Sequence, residues 1–276
     1  MRFAAAVEDQ NDGVLFTIPV KFAEIAPIRA LPEFDEATTA AGTAPALWYD
    51  ANREFYLSHI GTIRTEASVY DAAFQTFPAP WQAGSLNLGG TTAQYQTYHF
   101  SGVEWAKTAA NITALVGTQP AATIFLIAKH SAPAAKQVLF AIGATSATNA
   151  LGIQLDASGN YSPWLGASET WTAAKSANSP VDTYRSLAVT WAASSNNATL
   201  YINAASIGTD SNTRSLTAGP ASLGASPTGT LLCNAAAGMA NCKVAHVLVF
   251  PAALTLAQIK AVHNLLGYQY GLSIVS

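Results

Sequence analysis

The sequence predicts an all-β protein, an antiparallel two-sheet sandwich closed by one C-terminal helix. Apolar runs of strand length, rich in β-branched and aromatic residues, recur at short intervals along most of the chain. Clusters of Gly, Pro, Asn, Asp and Ser separate them, and such spacing suits a sandwich of antiparallel strands. One stretch alone, Thr255 to Leu266, carries the apolar spacing of a helix.

Taken in order, residues 1–43 stand apart. Val14 to Phe22 is strand-rich, and Pro19 places it at an edge or an end. Pro27 and Pro32, followed by Glu33, Asp35 and Glu36, predict an extended segment, and Thr38 to Pro45 reads as a small, polar linker. Residues 1–43 are therefore expected to be an N-terminal arm that docks on a neighbour or adds a strand pair, and residues 44–276 to be the sandwich. Its first strand is expected at Ala46 to Ala51. Leu86 to Gly90 reads as a strand ending in a turn, and Tyr95, Tyr98, His99 and Phe100 form an aromatic group. Ala121 to Lys129 is a buried-strand run, and Val138 to Gly143 and Leu151 to Leu155 follow as strands. Asp156 to Asn160 reads as a turn. Tyr184 to Trp191 and Thr199 to Asn203 are strands about the polar turn Ser194 to Asn197, and Val244 to Phe250 is the last. In the helix, Leu256, Ile259, Val262, His263 and Leu266 share one face, Thr255 can cap the start and Gly267 can end it.

Half of the chain is apolar and only 11% is charged, against about 25% in ordinary soluble proteins. Such a surface is compatible with cover by partner subunits. Residues 1–109 hold 12 acids and 6 bases; residues 110–276 hold 4 acids and 7 bases. Neither half has a Lys/Arg cluster, which argues against nucleic-acid binding. No segment approaches the roughly 20 apolar residues of a membrane span, so no membrane insertion is expected. The start, Met1 to Asp9, lacks the apolar core of a signal peptide, so synthesis in the host cytoplasm is expected. Cys233 and Cys242 are spaced to allow a hairpin-closing disulfide, worth about 2–3 kcal/mol; the alternative is two free buried thiols.

The order of the C-terminal segments resembles a known family. Leu187-Ala188-Val189-Thr190-Trp191, then Leu200-Tyr201-Ile202-Asn203, then the buried run Val244 to Phe250, then Leu254-Thr255-Leu256-Ala257-Gln258-Ile259 and a closing Tyr270-Gly271-Leu272 recur in this order in laminin-G-like, concanavalin A-like jelly rolls. Trp48-Tyr49-Asp50-Ala51 resembles the opening of phage and bacterial members, and Thr123 to Lys129 resembles an internal strand. The resemblance implies a concanavalin A-like jelly roll and, most often, a binding module. Ala204 departs from the family's Asn-Gly hairpin, which puts the tight turn in doubt and points to a longer loop.

The same fold hosts glucanases, whose paired carboxylates stand on alternate residues of one strand in a Glu-x-Asp-x-x-Glu run. This chain has no such run, and no Gly-x-Ser-x-Gly elbow. Of the five histidines, His59, His99, His130, His246 and His263, the last two sit in apolar patterns and read as core. Calcium is the ion the resemblance implies; Asp156 with Asn160, or Asp210 with Asn212, offer oxygens, and each pair reads equally as turn residues. Tyr161, Trp164 and Trp171 are the candidates for stacking on a glycan, the last two flanking the polar loop Gly166 to Thr170; ordinary core is the alternative.

These readings predict a protein that is not an enzyme. The function expected is that of a bacteriophage virion structural component, a capsid decoration, tail or fibre-associated protein with a lectin-like domain. Its expected partners are itself, as a homo-oligomer, and other virion proteins, with host-surface polysaccharide as a candidate ligand. The competing expectation is a free carbohydrate-binding module or lectin, and a weaker one a glycan hydrolase on the same fold.

Overall fold

A computed structural model describes residues 3–8, 15–20, 32–45, 47–50, 74–77, 98–101, 105–108, 121–133, 135–143, 150–164, 173–177, 179–192, 194–211, 221–224, 240–270 and 272. Fifteen strands and two helices run through them. The first two strands, β1 (Phe3–Glu8) and β2 (Leu15–Val20), form an antiparallel ribbon of their own. Pro19 stands there opposite Ala4, a position open to proline because a two-stranded ribbon is all edge.

The sandwich has one sheet of seven strands and one of six. The larger contains β3 (Leu47–Asp50), β5 (Tyr98–Ser101), β7 (Ala121–His130), β11 (Arg185–Ala192), β12 (Asn197–Ile202), β13 (Ala205–Ser211) and β15 (Asn241–Phe250). Its order is β13-β12-β11-β7-β15-β3, with β5 on the first half of β15. The smaller contains β4 (Phe74–Phe77), β6 (Trp105–Thr108), β8 (Gln137–Gly143), β9 (Ala150–Leu155), β10 (Tyr161–Trp164) and β14 (Ala221–Leu223), in the order β10-β9-β8-β14-β6-β4. Every described pairing is antiparallel.

Alternation decides what each face does. On β7, Ala122, Ile124, Leu126 and Ala128 point into the sandwich and meet Leu139, Ile142, Leu151 and Ile153 from the facing sheet. Phe125 and Ile127 point outward. They are buried too, because two helices cover that face: α1 (Pro32–Ala41) and α2 (Leu256–Tyr270). A strand covered on both sides reads as a continuous apolar run, which is how Ala121 to Lys129 reads.

Three expectations change here. Residues 32–36, expected to be extended, and residues 38–41, expected to be linker, are helix α1. Pro32 is its first residue, where no backbone N–H is needed, and Glu33, Asp35 and Glu36 fall in the turn where the helix dipole favours acids. Ala37 and Ala41 pack toward α2, and Gly42 ends α1 at φ 68°. Helix α2 does not stop at Gly267 but runs to Tyr270. An interior glycine costs about 1 kcal/mol; against it stand the burial of Tyr270 and its hydroxyl's 2.9 Å bond with His246 Nδ1. Lastly, Asn203-Ala204 makes the tight two-residue turn without glycine, at φ 48° and 67°. Asn203 is pinned to β11, its N–H donating to Ser186 O at 2.7 Å and its Oδ1 accepting from Ser186 N at 2.9 Å.

Thr255 caps α2 as expected, through a reciprocal box: Gln258 N donates to Thr255 Oγ1, and Thr255 N donates to Gln258 Oε1 at 2.9 Å. The same Gln258 amide donates to Ala41 O at 2.6 Å, joining the start of α2 to the end of α1.

Candidate functional site

The polar chemistry of the described chain gathers at one end of the sandwich. Antiparallel pairing puts the last residues of β7 beside the first of β11 and of β15: Arg185 is opposite Ala128, and Cys242 opposite His130. In the facing sheet, the same end holds the start of β8, the end of β9 and the start of β10, with Gln137 and Tyr161 both opposite Leu155. Lys129, His130, Tyr161, Asp182, Tyr184, Arg185 and Lys243 thus reach one end from both sheets.

Inside that end, His130 and Tyr161 bridge the sheets. Tyr161 Oη and His130 Nδ1 share a 2.6 Å hydrogen bond, and the rings meet edge to face. Burial, then the nearby Arg185 guanidinium, lower the His130 pKa against the opposing pull of Asp182, so the ring is neutral. His130 Nε2 and Arg185 Nε are buried with no hydrogen-bond partner. Burial raises the Tyr161 phenol well above its usual range, and does the same to the Cys242 thiol. Both stay protonated, and Cys242 is a free, buried thiol. Cys233 lies outside the described residues.

A polar wall stands beside this bridge. Ser176 N donates to Tyr161 O at 2.9 Å, and Tyr161 N donates to Ser176 Oγ at 2.7 Å. Ser179 N donates to Gly159 O, and Asp182 N to His130 O. Further along the wall, Ala173 N and Ala174 N donate to Asp210 Oδ2 at 3.0 and 2.8 Å. That clasp brings Ala173 O so close to Gly208 that a Cβ there would lie 2.0 Å from it.

The outer side of this end is cationic. Lys129 and Lys243 stand directly opposite each other on β7 and β15. Lys129 Nζ lies 3.7 Å from Asp182 Oδ1 and 5.2 Å from the Tyr184 ring centroid. Desolvation, and then repulsion from Lys129, lower the Lys243 pKa, with Asp182 opposing.

The stacking candidates fare differently from expectation. Tyr161 is 0% and Trp164 3% exposed. Tyr161 points between the sheets, and Trp164 packs with Val138, Ala141 and Ala150 on the far face of its own sheet. Neither ring face is open to a sugar. Trp171 lies outside the described residues. At the calcium candidates, Asp156 Oδ1 accepts from Ser158 N, Asn160 N and Asn160 Nδ2, and Oδ2 from Asn160 Nδ2 and from Lys175 Nζ at 2.7 Å. Burial pushes this carboxyl up, but bonds from Asn160, Lys175 and Ser158 outweigh it and hold the pKa at about 2. Asp156 and Asn160 are thus spent on the β9–β10 turn, and Asp210 on the 173–174 clasp. Asn212 lies outside the described residues. Among the described residues no three His, Cys, Asp or Glu gather as a metal site.

His246 and His263 are core residues. His263 Nδ1 and Ser186 Oγ are 2.5 Å apart, and the imidazole meets Phe125 edge to face. The residues that build the cationic end, Lys129, Asp182, Tyr184, Arg185 and Lys243, were not singled out in the sequence. The signal present was the excess of bases over acids after residue 109; the register that aligns two lysines was not.

Comparison with the curated proteins finds no match. Among solved structures, the chain is similar to the Trypanosoma rangeli sialidase in complex with 2,3-difluorosialic acid, with TM-score 0.47, 11% identity, and cover of 72% of this chain and 33% of that one. It is similar to the NanB sialidase of Streptococcus pneumoniae, with TM-score 0.43, 14% identity, and cover of 59% and 26%. It is also similar to the CBM40 of the Ruminococcus gnavus IT-sialidase bound to α2,3-sialyllactose, with TM-score 0.42, 15% identity, and cover of 52% and 82%. The chain spans about a third of the sialidases it resembles. The sialidases among these neighbours are enzymes, so the expectation of a protein that is not an enzyme is withdrawn. The likeness itself does not carry an activity to this chain. Among the described residues no helix is long and apolar enough to cross a membrane. The family model of the concanavalin A-like lectin/glucanases superfamily matches residues 107–260, more than half of the chain, and with two antiparallel sheets and a covering C-terminal helix in place this chain belongs to that superfamily.

Proposed function

We propose that this protein binds glycans at the end of its sandwich where Lys129, Asp182, Tyr184 and Lys243 gather on the outer side and Arg185 stands on the inner side of the same strand ends. The observation that carries the reading is this convergence, because the two described aromatic candidates are core and offer a sugar nothing. Polar side chains at these strand ends, partly buried at Lys129, Tyr184, Arg185 and Lys243, suit a ligand that is itself a dense array of hydroxyls. A glycan array probed with the full chain tests the reading. Selective retention of a sugar class that is lost with Arg185→Ala, in a variant that melts as wild type does, is the expected result. No retention of any glycan refutes it.

A second reading is a bacteriophage virion component whose copies assemble with each other. Its support is the 11% charge of a chain that is half apolar. The docking of α1 on α2 of the same chain favours the binding-module reading instead. Light scattering on the full chain separates the two: a defined oligomer supports assembly, and a monomer opposes it.

A further inference from the structure

Lys129 and Lys243 are a like-charge pair that, among the described residues, is only partly compensated, by Asp182 and the Tyr184 ring. Like charges directly opposite on adjacent antiparallel strands destabilise a sheet. Here the pair stands on the outer face of the larger sheet, on the same faces of β7 and β15 as Ile127 and Ala245, which the helices cover. His99 of β5 occupies the next register position along the same row, opposite Lys243. Tyr184, just before β11, flanks the row on the other side, its ring beside the Lys129 ammonium. Among the described residues one acid serves this row, Asp182. Its carboxylate is 3.7 Å from Lys129 and 67% exposed, so it is a loose and screened partner. Lys129 is 17% exposed at its side chain, and both lysines are partly desolvated. Burial of this kind strengthens the repulsion between them, and it strengthens equally the attraction of any anion placed over both.

We propose that Lys129 and Lys243 together bind an anionic group of an acidic polysaccharide, with the Tyr184 ring bordering the site. The inference rests on the glycan-binding reading and names its ligand class. A carboxylate or sulfate ester bridging the two ammonium groups converts the repulsive pair into two charge-assisted hydrogen bonds. The ammonium groups act as point charges and leave the sugar's orientation to its other contacts.

The test is affinity electrophoresis of the full chain through polygalacturonate, through a sulfated galactan and through a neutral galactan, for wild type, Lys129→Gln/Lys243→Gln and Lys129→Arg/Lys243→Arg. Wild type is expected to be retarded by an anionic polymer, and the Gln variant to bind it about tenfold more weakly or less, with the Arg variant close to wild type. Whether polygalacturonate or the sulfated galactan is preferred separates carboxylate from sulfate. The thermal midpoint of the Gln variant is expected to equal or exceed that of wild type, since it removes a like-charge pair, so loss of binding is not loss of fold. Equal retardation of wild type and the Gln variant overturns the inference, as does no retardation by either anionic polymer. Retention of the neutral galactan alone, unchanged in the variant, overturns the inference and leaves the glycan-binding reading standing; silence on all three polymers and on the array removes both.

Discussion

His263 makes this fold acid-labile, and the size of the effect can be worked out. The ring is fully buried between α2 and the sheet, over β11 and β7, bonded to Ser186 and edge-on to Phe125. Both neighbours are uncharged, and burial pushes the His263 pKa from 6.5 to about 3. The unfolded chain therefore binds a proton near pH 6.5 that the folded chain refuses until about pH 3. Stability is fully present above the unfolded value and is lost as pH falls through that window. Between pH 7 and pH 5 the loss is about 2 kcal/mol, and the full shift corresponds to roughly 5 kcal/mol. His263→Gln keeps an amide in reach of Ser186 and removes the titration. We expect the variant to be less stable than wild type at pH 8 by about 1–3 kcal/mol, because amide replaces ring against Phe125. The gap should close as pH falls to 5. Urea unfolding followed by tryptophan fluorescence at pH 8, 7, 6 and 5 reads both midpoints. His130, also lowered, leaves a residual slope of the same sign in both proteins. A wild-type-to-variant gap that stays constant from pH 8 to pH 5 would refute the reasoning, since it would mean that His263 ionises alike in folded and unfolded chains.

Three further outcomes follow from the same geometry. Gly208→Ala places a Cβ 2.0 Å from the backbone oxygen of Ala173, so the 173–174 clasp on Asp210 must open; a loss of about 1–3 kcal/mol is expected in urea, and an unchanged midpoint would count against the close approach. Asp156→Ala strips the β9–β10 turn of its bonds to Ser158, Asn160 and Lys175, and about 1–2 kcal/mol is expected to go at pH 7. Because the Asp156 pKa is held at about 2 against 3.8, that contribution is present above pH 3.8 and fades as pH falls toward 2, so the two proteins should converge there. Trp164→Ala is expected to cost about 3–5 kcal/mol by chemical denaturation while the folded fraction keeps its glycan binding; binding lost in a variant still folded would return Trp164 to the ligand.

The larger sheet was legible in the sequence because its inner strands are buried on both faces and read as unbroken apolar runs. The C-terminal helix was legible because its apolar stripe is framed by the Thr255–Gln258 box. What escaped did so where one physical effect overrode another. Pro32 with the acids after it predicts an extended segment, yet a proline opening a helix costs nothing and those acids suit the first turn. Gly267 was read as a stop, yet the hydroxyl of Tyr270 has a partner in His246 only if the helix continues. Ala204 was read as lengthening a loop, yet Asn203 is clamped to Ser186 on both its backbone and its side chain, and a left-handed alanine, costing about 1–2 kcal/mol, is held in place by it.

The candidate site escaped for a different reason. Aromatic residues near a polar loop are the feature a sequence reader sees, and here strand parity sends Tyr161 between the sheets. A lysine at the end of an apolar run looks like ordinary solvation of a strand end, and Lys129 and Lys243 are 114 positions apart in the chain. Only the register of β15 on β7, set by the bulge between Val244 and His246, decides that the two face each other rather than pass by one place. A one-residue slip would turn one lysine into the core and dissolve the cationic row. The cost of the like-charge pair is therefore tied to the packing of Val247 and Val249 on one side of β15 and Leu248 and Phe250 on the other, whose burial fixes the register. Hydrophobic burial of four such side chains, at about 1.5–3 kcal/mol each, far exceeds the few tenths to 1 kcal/mol that an opposed pair takes back, so the core can hold two lysines in register for a ligand that the sheet alone would not favour.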